Sequence, residues 1–384
     1  RRLRARGRMA GRNRLVQTFE VPNDPLYGIY DLQWNLRRMQ AEEAWNLTHG
    51  EGVVVAVTDT GLAVGGSDGI GCVDPNGYDV VNQDADPDDG DGHGTHVAGT
   101  VAQTTDNLTG VAGMAHGACV LPVKVLDDSG SGTTADIAEG IFYAVDQGAG
   151  VINMSLGISA RYDVRNDPIL DPALDYAYTQ GVTVAAASGN ESVSTNVGYP
   201  AIYPTTIAVG ATDYADNPAY YSNGGTGLDL VAPGGDVTKD LNQDGYPDGI
   251  LQETRIDGAW GYHFFQGTSM ASPHVAAVAA MLIADGTATS PDEVRAVLNG
   301  TALDLGTAGW DAAYGHGLVQ AYAALTGEAP PDPEPCTDAD GDGYCIEDGD
   351  CNDGDPTVYP GAYDGRSRRD RDGIDNDCDG IIDG

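Results

Sequence analysis

Five apolar runs rich in β-branched residues, separated by Ala-rich segments of helical length, constrain the fold of this chain most strongly. Each run ends at or beside a Gly or an Asp, and they span residues 52–61, 119–127, 150–157, 182–190 and 205–213. Segments 134–148 and 171–181 have the composition and length of helices. Continuous apolar strands that alternate with helices indicate a parallel sheet covered on both faces. We therefore expect a three-layer α/β fold with a mostly parallel central sheet.

Composition divides the 384 residues into segments of different character. The first 14 residues contain seven Arg, whereas residues 328–335 are Pro-rich and residues 336–384 are rich in Asp and Cys. The last segment has too few large apolar residues for a core of its own, so it needs metal, disulfides or both. We predict a basic arm over 1–21, one α/β domain over 22–327, a linker over 328–335 and a small module over 336–384.

Charge and cysteine content narrow the functional classes. The formal net charge is −39, which argues against nucleic-acid binding, because that function needs a basic surface. No apolar run approaches the roughly 18 residues that cross a bilayer, so we expect no membrane span. Four of the six Cys lie in the last 49 residues, which suggests disulfides and an oxidising compartment, whereas nothing assigns roles to Cys72 and Cys119.

Three polar residues stand where the chemistry of nucleophilic catalysis would need them. Asp59 ends the first strong strand, His93 begins HGTHVAGTVAQ, and Ser269 lies in GTSMASPHVAAVAAMLIADG at the start of an apolar helix. A serine at a helix N-terminus gains from the helix dipole, and an imidazole held by a carboxylate can take its proton. Each signal alone is weak, but together they predict a catalytic triad.

These blocks, in the order Asp, His, Ser on an α/β chain, resemble the subtilisin-like serine proteases, in particular the thermitase-like branch. The resemblance covers about residues 22–327 and implies a secreted or cell-surface serine endopeptidase of broad specificity. In the matching block SGN, Asn190 would donate to the oxyanion together with the N–H of Ser269. The substrate would add as a β-strand between two segments. These are Gly130, Ser131 and Gly132 on one side and Ser155, Leu156 and Gly157 on the other.

Calcium is the expected cofactor, with a role in stability. The spacing D-x-N-x-D-G-x-x-D turns alternate oxygens inward. Its ligands would be Asp240, Asn242, Asp244, the carbonyl of Tyr246, and Asp248. The twelfth position holds Leu251 in place of the Glu of a full EF-hand loop. By resemblance to thermitase-like enzymes, a second site would use Asp24, Asp68, Asn107 and Thr109.

The tail resembles a short Asp/Cys-rich metal-binding repeat of secreted bacterial proteins. Its candidate ligands are Asp338, Asp340, Asp342, Asp375, Asp377, Asp379 and Asp383. Residues 365–373 are longer than usual and Arg371 stands where a Cys is expected, so this copy departs from the repeat.

The same resemblance implies protein or peptide substrates and a prodomain that serves as inhibitor and chaperone. The basic arm would be a remnant of that prodomain, and we expect a monomer. His96 and His274 belong to the motif helices and are expected to pack or form hydrogen bonds.

Three alternatives remain open at this level. Asp59-Thr-Gly and Asp128-Ser-Gly mimic the paired motifs of aspartic proteases, although they are only 69 residues apart. The acidic tail would also suit a calcium-dependent adhesion protein built on an inactive protease scaffold. A peptide ligase would use the same triad.

Overall fold

The computed structural model describes residues 21–328. The chain divides into two compact units, Arg1–Glu328 and Ala329–Gly384, and the described residues belong to the first. The basic arm up to residue 20, the linker from residue 329 and the Asp/Cys-rich module lie outside the described residues. The domain boundaries given above therefore stay predictions.

The described region contains nine strands and eight α-helices within residues 21–328. The strands are β1 (Val54–Asp59), β2 (Tyr78–Asp79), β3 (Cys119–Lys124), β4 (Val151–Met154), β5 (Thr183–Ala187), β6 (Thr206–Thr212), β7 (Leu230–Pro233), β8 (Ile250–Ile256) and β9 (Ala259–Phe265). The helices are α1 (Trp34–Arg38), α2 (Ala41–Trp45), α3 (His93–Ala102), α4 (Thr134–Asp146), α5 (Asp171–Thr179), α6 (Thr268–Asp285), α7 (Pro291–Thr301) and α8 (Ala321–Thr326).

A seven-stranded sheet in the order β2-β3-β1-β4-β5-β6-β7 forms the middle layer. All of its strand pairs are parallel, and each of the five apolar runs supplies one strand. The parallel sheet expected from the sequence is therefore confirmed. Because parallel strands end at the same edge, the residues that follow β1, β4 and β5 lie along one side of the sheet.

Two apolar cores cover the two faces of the sheet. Val55 and Val57 of β1 point into the core that contains α3 and α6, whereas Ala56 points into the core that contains α4 and α5. This alternation follows from the two-residue period of a strand. The arrangement gives the three layers expected from the sequence, and it places α3 and α6, which carry the predicted His and Ser, on the same face.

Local signals explain where two helices of the second half begin. Thr133 precedes α4, and its side chain and that of Asp136 form a reciprocal capping box. Ser290 and Glu293 form the same arrangement at α7, with Pro291 at the first helical position. Each capping box satisfies main-chain N–H groups that the first helical turn leaves free.

Two features of the fold were not foreseen. Strands β8 and β9 form an antiparallel hairpin joined by Asp257 and Gly258. Cys72 and Cys119 form a disulfide that ties a loop to the first residue of β3. Within the described part of the chain, no helix is both long and apolar enough to cross a membrane.

Candidate active site

Asp59 and His93 form a close pair at the edge of the sheet. Asp59 is the last residue of β1 and is fully buried, and His93 is the first residue of α3. The Nδ1 of His93 lies 2.7 Å from Oδ1 of Asp59. Burial of the imidazole opposes protonation, but the charge and hydrogen bond of Asp59, with the charges of Asp91 and Asp89, outweigh it and raise the pKa of His93. With Nδ1–H held by the carboxylate, Nε2 is left as the basic nitrogen.

Asp89 fixes the start of the helix that carries His93. Its fully buried carboxylate accepts hydrogen bonds from the N–H of Gly92 at 2.8 Å and from the N–H and hydroxyl of Thr95 at 2.9 and 2.6 Å. It also accepts the hydroxyl of Thr60, which directly follows Asp59, at 2.9 Å. A carboxylate at a helix N-terminus is stabilised by the main-chain N–H groups there. Asp89 thereby joins the segments of Asp59 and His93, a role that the sequence analysis missed.

Ser269 is the second residue of α6, the 18-residue helix of the same core. Its hydroxyl donates to the main-chain oxygen of Ser155 at 3.2 Å, and the hydroxyl of Ser155 donates back to the main-chain oxygen of Ser269 at 2.7 Å. These bonds join the end of β4 to the start of α6. Among residues 21–328 this hydroxyl donates to Ser155 and forms no hydrogen bond with His93, so it has to reorient before it can transfer its proton to the imidazole.

The side-chain amide of Asn190 has a defined orientation. Its Oδ1 accepts hydrogen bonds from the N–H and from the hydroxyl of Thr268, both at 2.9 Å. The Nδ2 group is consequently the free donor of this amide, and it lies beside Gly267, the residue that precedes α6. The N–H of Ser269 belongs to the first helical turn, where no intrahelical acceptor exists. Two donors, the Nδ2 of Asn190 and the N–H of Ser269, are thus available at the start of α6.

Two cavities meet along the segment after β4. One, of about 420 Å³, is lined by His93, by the predicted segment Gly130–Gly132 and by Ser155, Leu156 and Gly157. The other, of about 120 Å³, is lined by Ser269, Asn190 and again Leu156 and Gly157. All the residues predicted to act in catalysis or substrate binding therefore line these two cavities, except Asp59, which lies buried behind His93.

Two other motif histidines have partners that fit a structural role. His96 stacks on Phe265, with ring centroids 4.3 Å apart, and its Nε2 lies 3.0 Å from two main-chain oxygens. His274 lies 2.8 Å from the main-chain oxygen of Met270 and 2.7 Å from the amide of Asn35. Burial lowers the pKa of His96 to about 3 and that of His274 to about 4, so both are neutral.

The sequence of the chain settles the family. Residues 50–317 match the sequence model of the Subtilase family, Peptidase S8. The chain belongs to the subtilase family. This subtilase is 39% identical to thermitase from Thermoactinomyces vulgaris over 305 residues, which are 79% of this chain and 99% of thermitase. It is 37% identical to the halolysin-like extracellular serine protease Nep from Natrialba magadii, over 82% of this chain and 54% of that protein.

Comparison with solved structures supports the same family. A protease from Pseudoalteromonas arctica superimposes with a TM-score of 0.71 at 34% identity, over 80% of this chain and 99% of that one. The expected resemblance and fold are thus confirmed, and the protein is a subtilisin-like serine endopeptidase. The aspartic-protease alternative is wrong, and Asp128 of its second motif forms an ion pair with Lys124 at 2.7 Å.

The residues expected to form the thermitase-like calcium site lie together. Asp24 accepts the N–H of Asp106 at 2.8 Å, and Asp68 accepts the side-chain amide of Asn107 at 2.7 Å. Both carboxylates are almost fully buried, and among residues 21–328 neither forms an ion pair. Burial, with the charges of Glu253 and Asp24, raises the pKa of Asp68 to about 6. A divalent cation would neutralise these buried charges, so the donor set fits calcium.

In the loop with the D-x-N-x-D-G-x-x-D pattern, two of the carboxylates accept main-chain N–H groups of the loop itself. Asp240 accepts the N–H of Gly245 at 3.1 Å, and Asp248 accepts the N–H of Leu241 at 2.7 Å. Burial, with the charges of Asp240 and Asp244, raises the pKa of Asp248. In the described part of the chain, no three His, Cys, Asp or Glu side chains converge as a metal cluster. Both sites would therefore depend on amide and main-chain oxygens as well as on carboxylates.

The predicted ligands of the tail lie outside the described residues. Residues 350–384 match a sequence model of a metal-binding motif named Cu-binding MopE. This match includes Asp375, Asp377, Asp379 and Asp383 but not Asp338, Asp340 or Asp342. Binding of a metal by this segment is thus supported, whereas the choice of calcium stays a prediction.

Proposed function

We propose that this subtilase is a secreted endopeptidase that hydrolyses peptide bonds through an acyl-enzyme on Ser269. His93 acts as general base and then as general acid, and Asp59 orients it. The observation that carries the proposal is the 2.7 Å contact between His93 and Asp59, where His93 lines the larger cavity and Ser269 lines the smaller cavity that meets it. A carboxylate so placed holds the imidazole in one tautomer and stabilises the imidazolium that forms.

The first chemical step transfers the Ser269 proton to Nε2 of His93 while Oγ attacks the substrate carbonyl. The tetrahedral intermediate then collapses, and the imidazolium gives its proton to the leaving amine. Water repeats the sequence on the acyl-enzyme and releases the acid. The Nδ2 of Asn190 and the N–H of Ser269 donate to the oxyanion in both steps, where such donors stabilise the developing charge.

Substrate recognition uses mainly the peptide backbone. The segments Gly130–Gly132 and Ser155–Gly157 both line the larger cavity and contain small residues. An extended peptide that adds to such segments is held by main-chain hydrogen bonds, which any sequence can form. We therefore expect broad side-chain specificity over protein and peptide substrates.

Calcium stabilises the fold and takes no part in bond cleavage. Asp24, Asp68, Asn107 and Thr109 would hold one ion, and Asp240, Asn242, Asp244, Asp248 and the carbonyl of Tyr246 another. Bound calcium would supply positive charge where the carboxylates of Asp24 and Asp68 are buried together. Copper is the alternative metal for the tail, because the matching motif is named for copper binding.

The relatives and the disulfide support a location outside the cytoplasm. One relative is named an extracellular protease, and a disulfide between Cys72 and Cys119 suits an oxidising compartment. We propose that the enzyme is secreted or held at the cell surface, is monomeric, and is kept inactive by its own prodomain until that segment is removed.

Hydrolysis of casein and of a tetrapeptide anilide by the wild type, Ser269→Ala and Ser194→Ala tests the mechanism. Ser194 is an exposed serine away from both cavities and serves as the matched control. We expect activity and labelling by a serine-directed phosphonate in the wild type and the control, and neither in Ser269→Ala. Equal activity in all three would refute the triad.

Treatment of the wild type with EDTA tests the role of calcium. If activity is lost slowly and in step with unfolding, calcium acts on stability. If activity is lost at once while the fold stays intact, calcium does not act through stability.

A further inference from the structure

One buried cation has no place in the proposed reaction. Lys124 is the last residue of β3 and one of only two lysines in the chain. In the parallel register of the sheet it stands opposite Asp59, the last residue of β1. Its side chain is only 4% exposed. Lysine is rarely buried without a partner, since removing an ammonium group from water is costly.

The ammonium group of Lys124 reaches two different segments. It donates to the main-chain oxygen of Thr60 at 2.5 Å and to the carboxylate of Asp128 at 2.7 Å. Thr60 directly follows Asp59 and donates its N–H to Oδ1 of that carboxylate at 2.7 Å. Thr60 therefore contacts the ammonium group through its main-chain oxygen and the proposed triad carboxylate through its N–H.

Asp128, the exposed partner of Lys124, lies against two further segments. Its side chain is 66% exposed, and the hydrogen bond from Lys124, with a smaller effect of the Gly90 N–H, holds the pKa of its carboxyl below its usual range. A Cβ added to Gly90 would lie 2.4 Å from Cγ of Asp128, so the loop before His93 passes directly against this carboxylate. Asp128 also belongs to the turn in which Asp127 accepts the N–H of Ser131 at 3.1 Å.

Three segments therefore meet at a single ion pair. They are the residue after Asp59, the loop that leads to His93, and the turn that carries the Gly130–Gly132 wall of the larger cavity. We propose that Lys124 is a positioning residue: through Asp128 it fixes the position of the Gly130–Gly132 wall relative to the Asp59–His93 pair. The inference rests on the proposed function, because it assigns the wall to the binding of extended peptides.

A merely structural lysine would behave differently from a positioning one. Loss of a structural cation lowers stability and reduces the rates for all substrates alike. If instead the wall shifts relative to the Asp59–His93 pair, only the binding of substrates that reach the wall is weakened. Comparison of a tetrapeptide anilide, which spans the wall, with an acetylated single-residue ester, which does not, separates the two roles.

The decisive variant is Lys124→Met, which keeps the length of the side chain and removes its charge. We expect the ratio of kcat/KM for the tetrapeptide to that for the ester to fall about tenfold, mainly through KM, as for loss of one charge-assisted hydrogen bond. Lys124→Arg retains a charged donor that can reach exposed Asp128, so it should restore the ratio to within about threefold.

Asp128→Ala removes the oxygens that accept from Lys124, at the exposed end of the ion pair, and should lower the ratio in the same direction. If Lys124→Met and Asp128→Ala both keep the wild-type ratio, the positioning role is refuted. Should Lys124→Met fail to fold, the ratio for Asp128→Ala decides alone. Failure of the proposed function would look different, because the wild type would then cleave neither substrate or Ser269→Ala would cleave both.

Discussion

At the scale of single residues, the orientation of Asn190 determines which of its groups can serve the reaction. Thr268 donates twice to Oδ1, so rotation of the amide by 180° would place the NH₂ group against two donors. The amide therefore presents Nδ2 toward the start of α6 before any substrate arrives. Such preorganised donors stabilise a transition state at little reorganisation cost.

We expect Asn190→Ala to lower kcat by about 100- to 1000-fold with little change in KM, the loss measured for the equivalent kind of donor in subtilisin. Steady-state kinetics with a peptide anilide would show it. Thr268→Val provides a graded control, because it removes one of the two bonds to Oδ1 and should produce a smaller loss. A raised KM at unchanged kcat in Asn190→Ala would instead make Asn190 a substrate-binding residue.

The pKa of His93 predicts the direction of the pH dependence. Only the neutral imidazole can act as base, so activity is lost as the pH falls through the pKa of His93, which neighbouring acids raise above its usual 6.5. Asp91→Asn removes one of those charges but keeps the oxygen that accepts the His93 N–H. The acid limb of kcat/KM should then move to lower pH. A limb that stays in place or moves upward would contradict this assignment.

At the scale of secondary-structure elements, the sequence predicted the parallel sheet well because its strands are continuous apolar runs. The β8–β9 hairpin was missed, although Asp257 and Gly258 both have positive φ, as the two-residue turns that favour Asp-Gly require. Its strands mix apolar with polar residues, so their pattern is a weaker strand signal than the continuous apolar runs of the parallel sheet. The turn itself was the signal that could have identified them.

The candidate site likewise contains residues that a local motif predicts and contacts that only the fold brings together. Asp59, His93, Ser269 and Asn190 could be predicted because each lies in a local motif with a recognisable shape. The contacts of Lys124 with Thr60 and of Thr268 with Asn190 join residues 64 and 78 positions apart. Such pairs depend on the order and register of the strands, which no local pattern contains.

The disulfide gives a prediction at this scale. It closes 47 residues that include His93 and Asn107, and the chain-entropy model assigns such a loop about 4 kcal/mol. The double variant Cys72→Ala/Cys119→Ala should lower the free energy of unfolding by about 2–4 kcal/mol. Denaturant unfolding at constant calcium concentration would measure this, and kcat at low temperature should persist. An unchanged midpoint in the variant and in the reduced wild type would exclude a stabilising role.

At the scale of the whole molecule, the formal net charge of −39 means that acidic residues far outnumber basic ones. The lining of the two cavities contains two carboxylates, Asp91 and Glu191, and no Lys or Arg among the residues described. The proposed broad recognition through the peptide backbone would therefore act together with a field that attracts cationic substrates. Clefts lined by one sign of charge raise the local concentration of oppositely charged ligands, and salt screens this effect over about 10 Å at 0.1 M.

We expect a Lys-containing peptide to be cleaved with a kcat/KM roughly tenfold above that of its Gln-substituted counterpart at low ionic strength. The advantage should shrink toward unity near 1 M salt, where charges more than about 3 Å apart are screened. Asp91→Asn, assayed above the acid limb so that His93 is neutral in both enzymes, should reduce the advantage and leave the Gln peptide unaffected. The same salt dependence for both peptides would mean that the acidic residues face solvent without acting on the cleft. A salt-dependent gap that persists in Asp91→Asn would assign the attraction to the charge of the molecule at large.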